Sequence, residues 1–100
     1  MFEYDVKNQN DVVDVTLKGR LDATHASDLL EEMKKFIGTP ISKIIFHVAE
    51  LEYIASAGLR VIIFTKQKIG YDAEVLLESP NETVQSVVDM TGLDNFITII

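Results

Sequence analysis

The stretch Tyr53-Ile54-Ala55-Ser56-Ala57-Gly58-Leu59 decides how this chain folds, because an extended apolar run changes there into a helical pattern. Apolar residues then recur at the spacing of one helix face, at Leu59, Ile62, Ile63 and Ile69. We therefore predict that Ser56 is the N-cap of a helix that runs to about Ile69. Its hydroxyl would be exposed at the positive end of the helix dipole, where a phosphate group is well tolerated.

Upstream of this stretch, apolar and polar residues alternate in two segments, from Phe2 to Lys7 and from Val13 to Lys18. The alternation predicts two half-buried strands, and the polar residues 8–11 between them predict a hairpin turn. A helix follows, with Asp22 and Thr24 as competing N-caps, and its apolar spacing reaches Ile37 before Gly38 ends it. The segment from Ile44 to Val48 is the predicted third strand.

Downstream, Val75 and Leu77 belong to a predicted fourth strand. Ser79-Pro80-Asn81-Glu82 predicts a helix start with Ser79 as the N-cap and Glu82 closing a capping box. Gly92 is expected to end this helix in the left-handed conformation. A last short strand is predicted from Phe96 to Ile100.

The predicted order β-β-α-β-α-β-α-β indicates an α/β fold with a mixed sheet of about five strands and right-handed crossovers. The length of 100 residues predicts a single domain, residues 1–100. Because the strands alternate, we expect the helices mainly on one face of the sheet. The polar residues on the other face should then be exposed: Glu3, Asp5, Asp14, Thr16, Lys18 and His47.

Composition excludes several classes of function. The 100 residues carry a net charge of −7, which argues against nucleic-acid binding and against attraction to anionic lipid. The absence of cysteine excludes disulfides and thiol catalysis. We see neither a signal-peptide pattern nor an apolar run of about 18 residues, so we expect a cytoplasmic protein that does not insert into a membrane.

Few residues suggest catalysis. His25 and His47 have no metal-ligand spacing, and no carboxylate lies in the apolar context that raises a catalytic pKa. No glycine-rich phosphate loop follows a strand. We therefore expect no enzyme activity, no catalytic residue, no metal and no cofactor.

Three segments together resemble the STAS domain, and within it the bacterial anti-sigma factor antagonists. Gly19-Arg20-Leu21-Asp22 resembles the family's glycine, leucine and aspartate turn. Residues 51–59 resemble its aspartate, serine, serine, glycine and leucine loop. Ser79-Pro80 with Met90-Thr91-Gly92-Leu93 resembles its closing helix.

The resemblance implies that Ser56 is phosphorylated by an anti-sigma factor that is itself a serine kinase. The unphosphorylated antagonist would bind that factor and free sigma, and a serine phosphatase would reset the switch. The chain departs from the family at three positions, with Ala55 for the usual aspartate, Ala57 for the second serine and Arg60 for a glycine. These departures bear on kinase recognition more than on the fold.

The candidate partner-binding residues are Asp22, Ala55, Ser56, Ala57, Gly58, Arg60 and Phe64. Val61 and Phe64 lie half a turn from the core stripe of the Ser56 helix, which fits either burial under a neighbouring helix or an apolar contact patch. Ser56 fits both a purely structural cap and a phosphorylated residue that also caps.

The sequence supports partner switching as an anti-sigma factor antagonist. It leaves two alternatives open: a STAS scaffold or subunit of a signalling or transport complex without phosphoregulation, which Ala55 and Ala57 favour, and a STAS module that senses a small ligand.

Overall fold

The computed structural model describes residues 2–100, and Met1 lies outside them. A five-stranded sheet has the spatial order β1-β2-β3-β4-β5, with β1 antiparallel to β2 and the other neighbours parallel. The strands are β1 Phe2–Gln9, β2 Val12–Leu21, β3 Lys43–Ile54, β4 Glu74–Glu78 and β5 Thr98–Ile99. The helices are α1 Ala23–Lys34, α2 Ser56–Phe64 and α3 Glu82–Thr91. This confirms the predicted α/β fold and its element order.

The helices lie on one face of the sheet because each parallel crossover moves the chain one strand further in the same direction with the same hand. Alternate strand residues on that face are fully buried, as at Val15, Phe46 and Leu77. On the other face, Glu3 and Lys18 are exposed. Asp14, Thr16 and His47 are half-buried by their strand neighbours rather than by a second helical layer.

The third strand is much longer than the predicted segment from Ile44 to Val48. It runs from Lys43 to Ile54, and it stays paired with β2 as far as the match between Leu21 and Ile54. The pairing includes two register shifts, opposite Thr16–Lys18 and opposite Gly19–Arg20, and at each of them β3 contains one residue more than β2. Such bulges interrupt the alternation on which the sequence prediction relied.

The first helix ends earlier than predicted. Asp22, not Thr24, is its N-cap, and α1 stops at Lys34. The chain then tightens into turns, with the Phe36 N–H bonded to the Met33 carbonyl at 3.0 Å, before Gly38 adopts a positive φ of 85°. Ile37, expected on the buried stripe, is consequently 54% exposed.

The second helix continues to Ile69 as predicted, but its last turn is different. Residues Thr65–Ile69 form a π-helical turn in which the Gly70 N–H donates to the Thr65 carbonyl at 2.7 Å. The buried Thr65 hydroxyl donates to the Val61 carbonyl at 2.8 Å, so this polar side chain is satisfied within its own helix.

The predicted capping box at the start of the third helix is wrong. Asn81, not Ser79, is the N-cap, and its side-chain oxygen accepts from the Val84 N–H at 2.8 Å. Ser79 has a left-handed φ of 59°, and Glu82 is the first helical residue. The Asn81 amide also donates to the Leu51 carbonyl at 3.0 Å, which ties α3 to β3. The predicted left-handed end at Gly92, with φ of 74°, is confirmed.

Replacing Asn81 with alanine should lower the free energy of unfolding by about 1–2 kcal/mol, because the helix cap and the bond to β3 are lost together. Urea denaturation of the two proteins measures the difference.

Ser79→Gly is the matched test of the corrected cap. Since glycine adopts a positive φ without a steric cost, this substitution should be neutral or stabilise the fold by up to about 1 kcal/mol. A clear loss of stability in Ser79→Gly, with none in Asn81→Ala, would show that Ser79 is the cap after all.

Candidate functional site

Ser56 is exposed and is the first residue of α2, not its N-cap as the sequence predicted. The N-cap is Ala55, with φ of −82° and ψ of 166°, and no side chain caps this helix end. The first intrahelical bond is donated by the Leu59 N–H to the Ala55 carbonyl at 3.0 Å. The N–H groups of the first helical turn therefore have no intrahelical acceptor and no side-chain cap.

A second helix start lies next to this one. The Ala55 N–H donates to the Leu21 carbonyl at 2.9 Å, which joins the end of β3 to the end of β2 directly before Asp22. The Asp22 carboxylate caps α1 by accepting from the His25 N–H at 3.0 Å, and it also contacts the His25 ring at 2.8 Å. The bond from the His25 backbone lowers the pKa of Asp22. Asp22 is thus exposed, ionised and fixed beside the Ser56 loop.

Gly58 holds the start of α2 against the two strands. A Cβ atom on Gly58 would lie 2.9 Å from side-chain atoms of both Leu21 and Ile54. Only a residue without a side chain permits this approach, so Gly58 is a buried packing residue and not part of an exposed surface.

A groove of about 350 Å³ opens between α1 and α2, directly beside the Ser56 turn. Half of its lining positions are alanine or serine, so the side chains leave part of the space between the two helices open. Its lining residues are Ala23, Ala26, Ser27 and Leu30 of α1 and Ala57, Arg60, Val61 and Phe64 of α2.

The structure gives different answers for Val61 and Phe64, which the sequence placed either under a neighbouring helix or in an apolar contact patch. Val61 is only 2% exposed and belongs to the core, so burial under α1 is correct for this residue. Phe64 is half-buried and forms part of the groove wall. Arg60 is exposed and is the one charged residue in the lining.

Sequence analysis missed the α1 side of this groove. Ala23, Ala26 and Ser27 recur at helical spacing, and this stripe of small residues was the available signal. It also missed the Arg20 guanidinium, which lies 4.4 Å from the centre of the Tyr53 ring in a cation–π contact at the same end of β2 and β3.

Within residues 2–100, no three His, Cys, Asp or Glu side chains are grouped so that they could hold a metal ion. None of the helices in this part of the chain is long and apolar enough to cross a membrane.

Comparison with known proteins places this geometry in a family. The sequence profile of the STAS domain matches residues 3–100. The chain belongs to the STAS domain family. Solved structures with the same STAS fold include an anti-sigma factor antagonist from Mycobacterium paratuberculosis, at 18% identity and a TM-score of 0.86 over 99% of this chain and 85% of that one.

Three further solved structures have the same fold. A proposed anti-sigma factor antagonist from Thermotoga maritima is 28% identical, with a TM-score of 0.83 over 96% of this chain and 84% of that one. The unphosphorylated anti-sigma factor antagonist SpoIIAA is 17% identical, with a TM-score of 0.85 over 98% of this chain and 88% of that one. The Bacillus SpoIIAA structure in its phosphorylated form also matches, with a TM-score of 0.78 at 17% identity, covering 98% of this chain and 91% of that one.

Ser56→Ala should leave the free energy of unfolding of this STAS domain within about 0.5 kcal/mol of the original, because an exposed residue inside the helix start is not a cap. The loss of about 1 kcal/mol expected for an N-cap serine would contradict the geometry. Thermal and urea denaturation measure it.

Gly58→Ala should destabilise the domain by about 1–3 kcal/mol, because Leu21 and Ile54 must move to admit the methyl group. Without that clash, alanine in a helix would stabilise by up to about 1 kcal/mol relative to glycine. The sign of the change in a urea titration therefore decides whether the close approach is real.

Proposed function

We propose that this STAS domain is an anti-sigma factor antagonist that works by partner switching and has no enzyme activity of its own. In its unphosphorylated form it binds an anti-sigma factor of the serine-kinase type through the surface around Ser56. Phosphorylation of Ser56 releases that factor, and a serine phosphatase restores binding. The exchange takes place in the cytoplasm and involves neither nucleic acid nor insertion into a membrane.

The observation that carries this proposal is the exposed Ser56 at an uncapped helix start. Its hydroxyl is accessible to a kinase, and the neighbouring N–H groups and helix dipole favour a phosphate at this place. Because Ser56 is not a cap, modifying it breaks no bond on which α2 depends. A phosphate would therefore change the surface and leave the fold intact.

The groove between α1 and α2, next to Ser56, forms the rest of the proposed contact surface. The groove offers apolar walls, including Phe64, that a side chain of the partner can fill. Arg60 lies one helical turn after Ser56 and forms no ion pair with any residue that the structure describes. It is therefore free to bind a carboxylate of the partner, or the phosphate itself.

The proposed contact residues play different parts. Asp22 brings a fixed negative charge, and Ala55 and Ala57 leave the surface close to the backbone of the turn. Gly58 is buried and does not contact the partner, but its close packing on Leu21 and Ile54 sets the position of that turn. A phosphate adds about −2 charge and considerable bulk, which an interface fitted to the free hydroxyl cannot accept.

The second candidate is a STAS scaffold without phosphoregulation. Ala55 favours it, because the position directly before Ser56 carries no carboxylate that a kinase could recognise. The two candidates share the same contact surface and differ only in whether Ser56 is modified.

The test is calorimetric titration of candidate serine-kinase anti-sigma factors from the same organism into three forms of the domain: unmodified, Ser56→Ala and Ser56→Asp. Under the proposal the first two bind equally, and Ser56→Asp binds at least about tenfold more weakly. Ser86→Asp is the matched control, since it adds the same charge at an exposed serine in the middle of α3 and should leave binding unchanged.

The groove contributes its own prediction. Phe64→Ala should weaken binding by more than about 1 kcal/mol, because an apolar wall of the contact surface is removed. Phe96→Ala, at a phenylalanine that is 69% exposed and outside the groove, should not weaken it.

The outcomes separate the candidates. Equal binding by all Ser56 variants, together with no phosphorylation of Ser56 in the presence of the kinase and ATP, supports the scaffold. Failure of the unmodified domain to bind any anti-sigma factor of its own organism would remove the proposed function itself.

A further inference from the structure

A histidine bridge crosses the sheet face that carries no helix. His47 of β3 contacts the Glu78 carboxylate of β4 through Nδ1 at 2.6 Å and the Asp14 carboxylate of β2 through Nε2 at 2.7 Å. Glu78 is directly opposite His47 in the ladder, and Asp14 is on the diagonal. The three side chains are partly buried, with exposed fractions of 27% for His47, 39% for Asp14 and 42% for Glu78.

Both ring nitrogens face carboxylate oxygens, and this fixes the protonation state that fits the geometry. A neutral imidazole has one N–H donor and one lone pair, so it can satisfy only one of the two carboxylates. The imidazolium has two N–H donors and satisfies both. The arrangement therefore requires the charged form.

The other charged residues that the structure describes on this face of the sheet provide no unpaired lysine for the carboxylates of Asp14 and Glu78. Those on the same face are Glu3, Asp5 and Lys7 of β1, Lys18 and Arg20 of β2, Lys43 and Glu50 of β3 and Glu74 of β4, while β5 contributes Thr98 without a charge. The Arg20 guanidinium lies over the Tyr53 ring. Each lysine in this set already pairs with a carboxylate of the set: Lys7 with Asp5, Lys18 with Glu50 and Lys43 with Glu74. Among the described residues, His47 is thus the one cation paired with Asp14 and Glu78.

We propose that His47 is a pH-sensitive latch that joins β2, β3 and β4 on the open face of the sheet, and that its deprotonation releases one of the two carboxylates. Glu78 keeps its bond, because it is directly opposite His47 in the ladder whereas Asp14 is on the diagonal. Asp14 is the carboxylate that is released, and the lysine opposite it, Lys7 of β1, is already paired with Asp5. The latch lies on the sheet and acts on stability, independently of the surface around Ser56.

The direction of the pH effect follows from the bonds. The hydrogen bond to Glu78, and then that to Asp14, raise the pKa of His47 above its ordinary value despite partial burial. A pKa that is higher in the folded than in the unfolded chain stabilises the fold fully below the unfolded value of about 6.5. That contribution is lost as the pH rises through the folded pKa.

The experiment combines a ring-proton NMR titration of His47 with melting curves from pH 5 to pH 9. We expect His47 to titrate above the ordinary histidine value and the melting temperature to fall as it deprotonates. His47→Gln should remove the decrease in melting temperature that accompanies deprotonation of His47. His25→Gln, at the chain's other histidine, should leave that decrease unchanged. Glu78→Gln should lower the His47 titration midpoint more than Asp14→Asn does.

A His47 midpoint at or below the ordinary value, or parallel melting curves for the original and His47→Gln, would overturn the latch. If His47→Gln does not fold, the titrations of Glu78→Gln and Asp14→Asn still decide, since unchanged midpoints in both contradict the bridge.

Discussion

The contact of Gly58 with Leu21 and Ile54 is the constraint on which the candidate site depends. It brings the start of α2 against the ends of β2 and β3, where the Ala55 N–H reaches the Leu21 carbonyl. Because backbone packing fixes this junction, its shape does not rely on the side chains around Ser56. The junction therefore keeps its shape with alanine at both positions 55 and 57.

The α1–α2 groove is a consequence of how those two helices are filled. Large residues such as Leu29 and Ile62 pack downward onto the sheet and complete the core. Between the helices, alanines and a serine leave about 350 Å³ unfilled beside Ser56. Since a domain gains stability when such a space is filled, the open groove adds little to the stability of the isolated fold, and the proposed partner would fill it.

The two faces of the sheet are held in different ways. The helix-covered face is a continuous apolar core, whereas the open face carries cross-strand ion pairs and the His47 bridge. Exposed lysine pairs of this kind contribute little to stability, because water screens them. The histidine bridge differs from them, since it is less exposed and joins three strands, and it gives the open face a dependence on pH that the core lacks.

Local features of this chain were readable from its sequence. Alternation predicted the strands, Gly92 predicted a left-handed helix end, and the order of elements predicted the one-sided α/β fold, because each depends on residues close together in the chain. The extension of β3 to Ile54, the caps at Ala55 and Asn81, the burial of Val61 and the groove were decided by the tertiary structure. Each of these depends on a contact between segments far apart in sequence. A local pattern shows that one helix face is small or apolar, as at Ala23, Ala26 and Ser27, but it does not show which segment packs against that face.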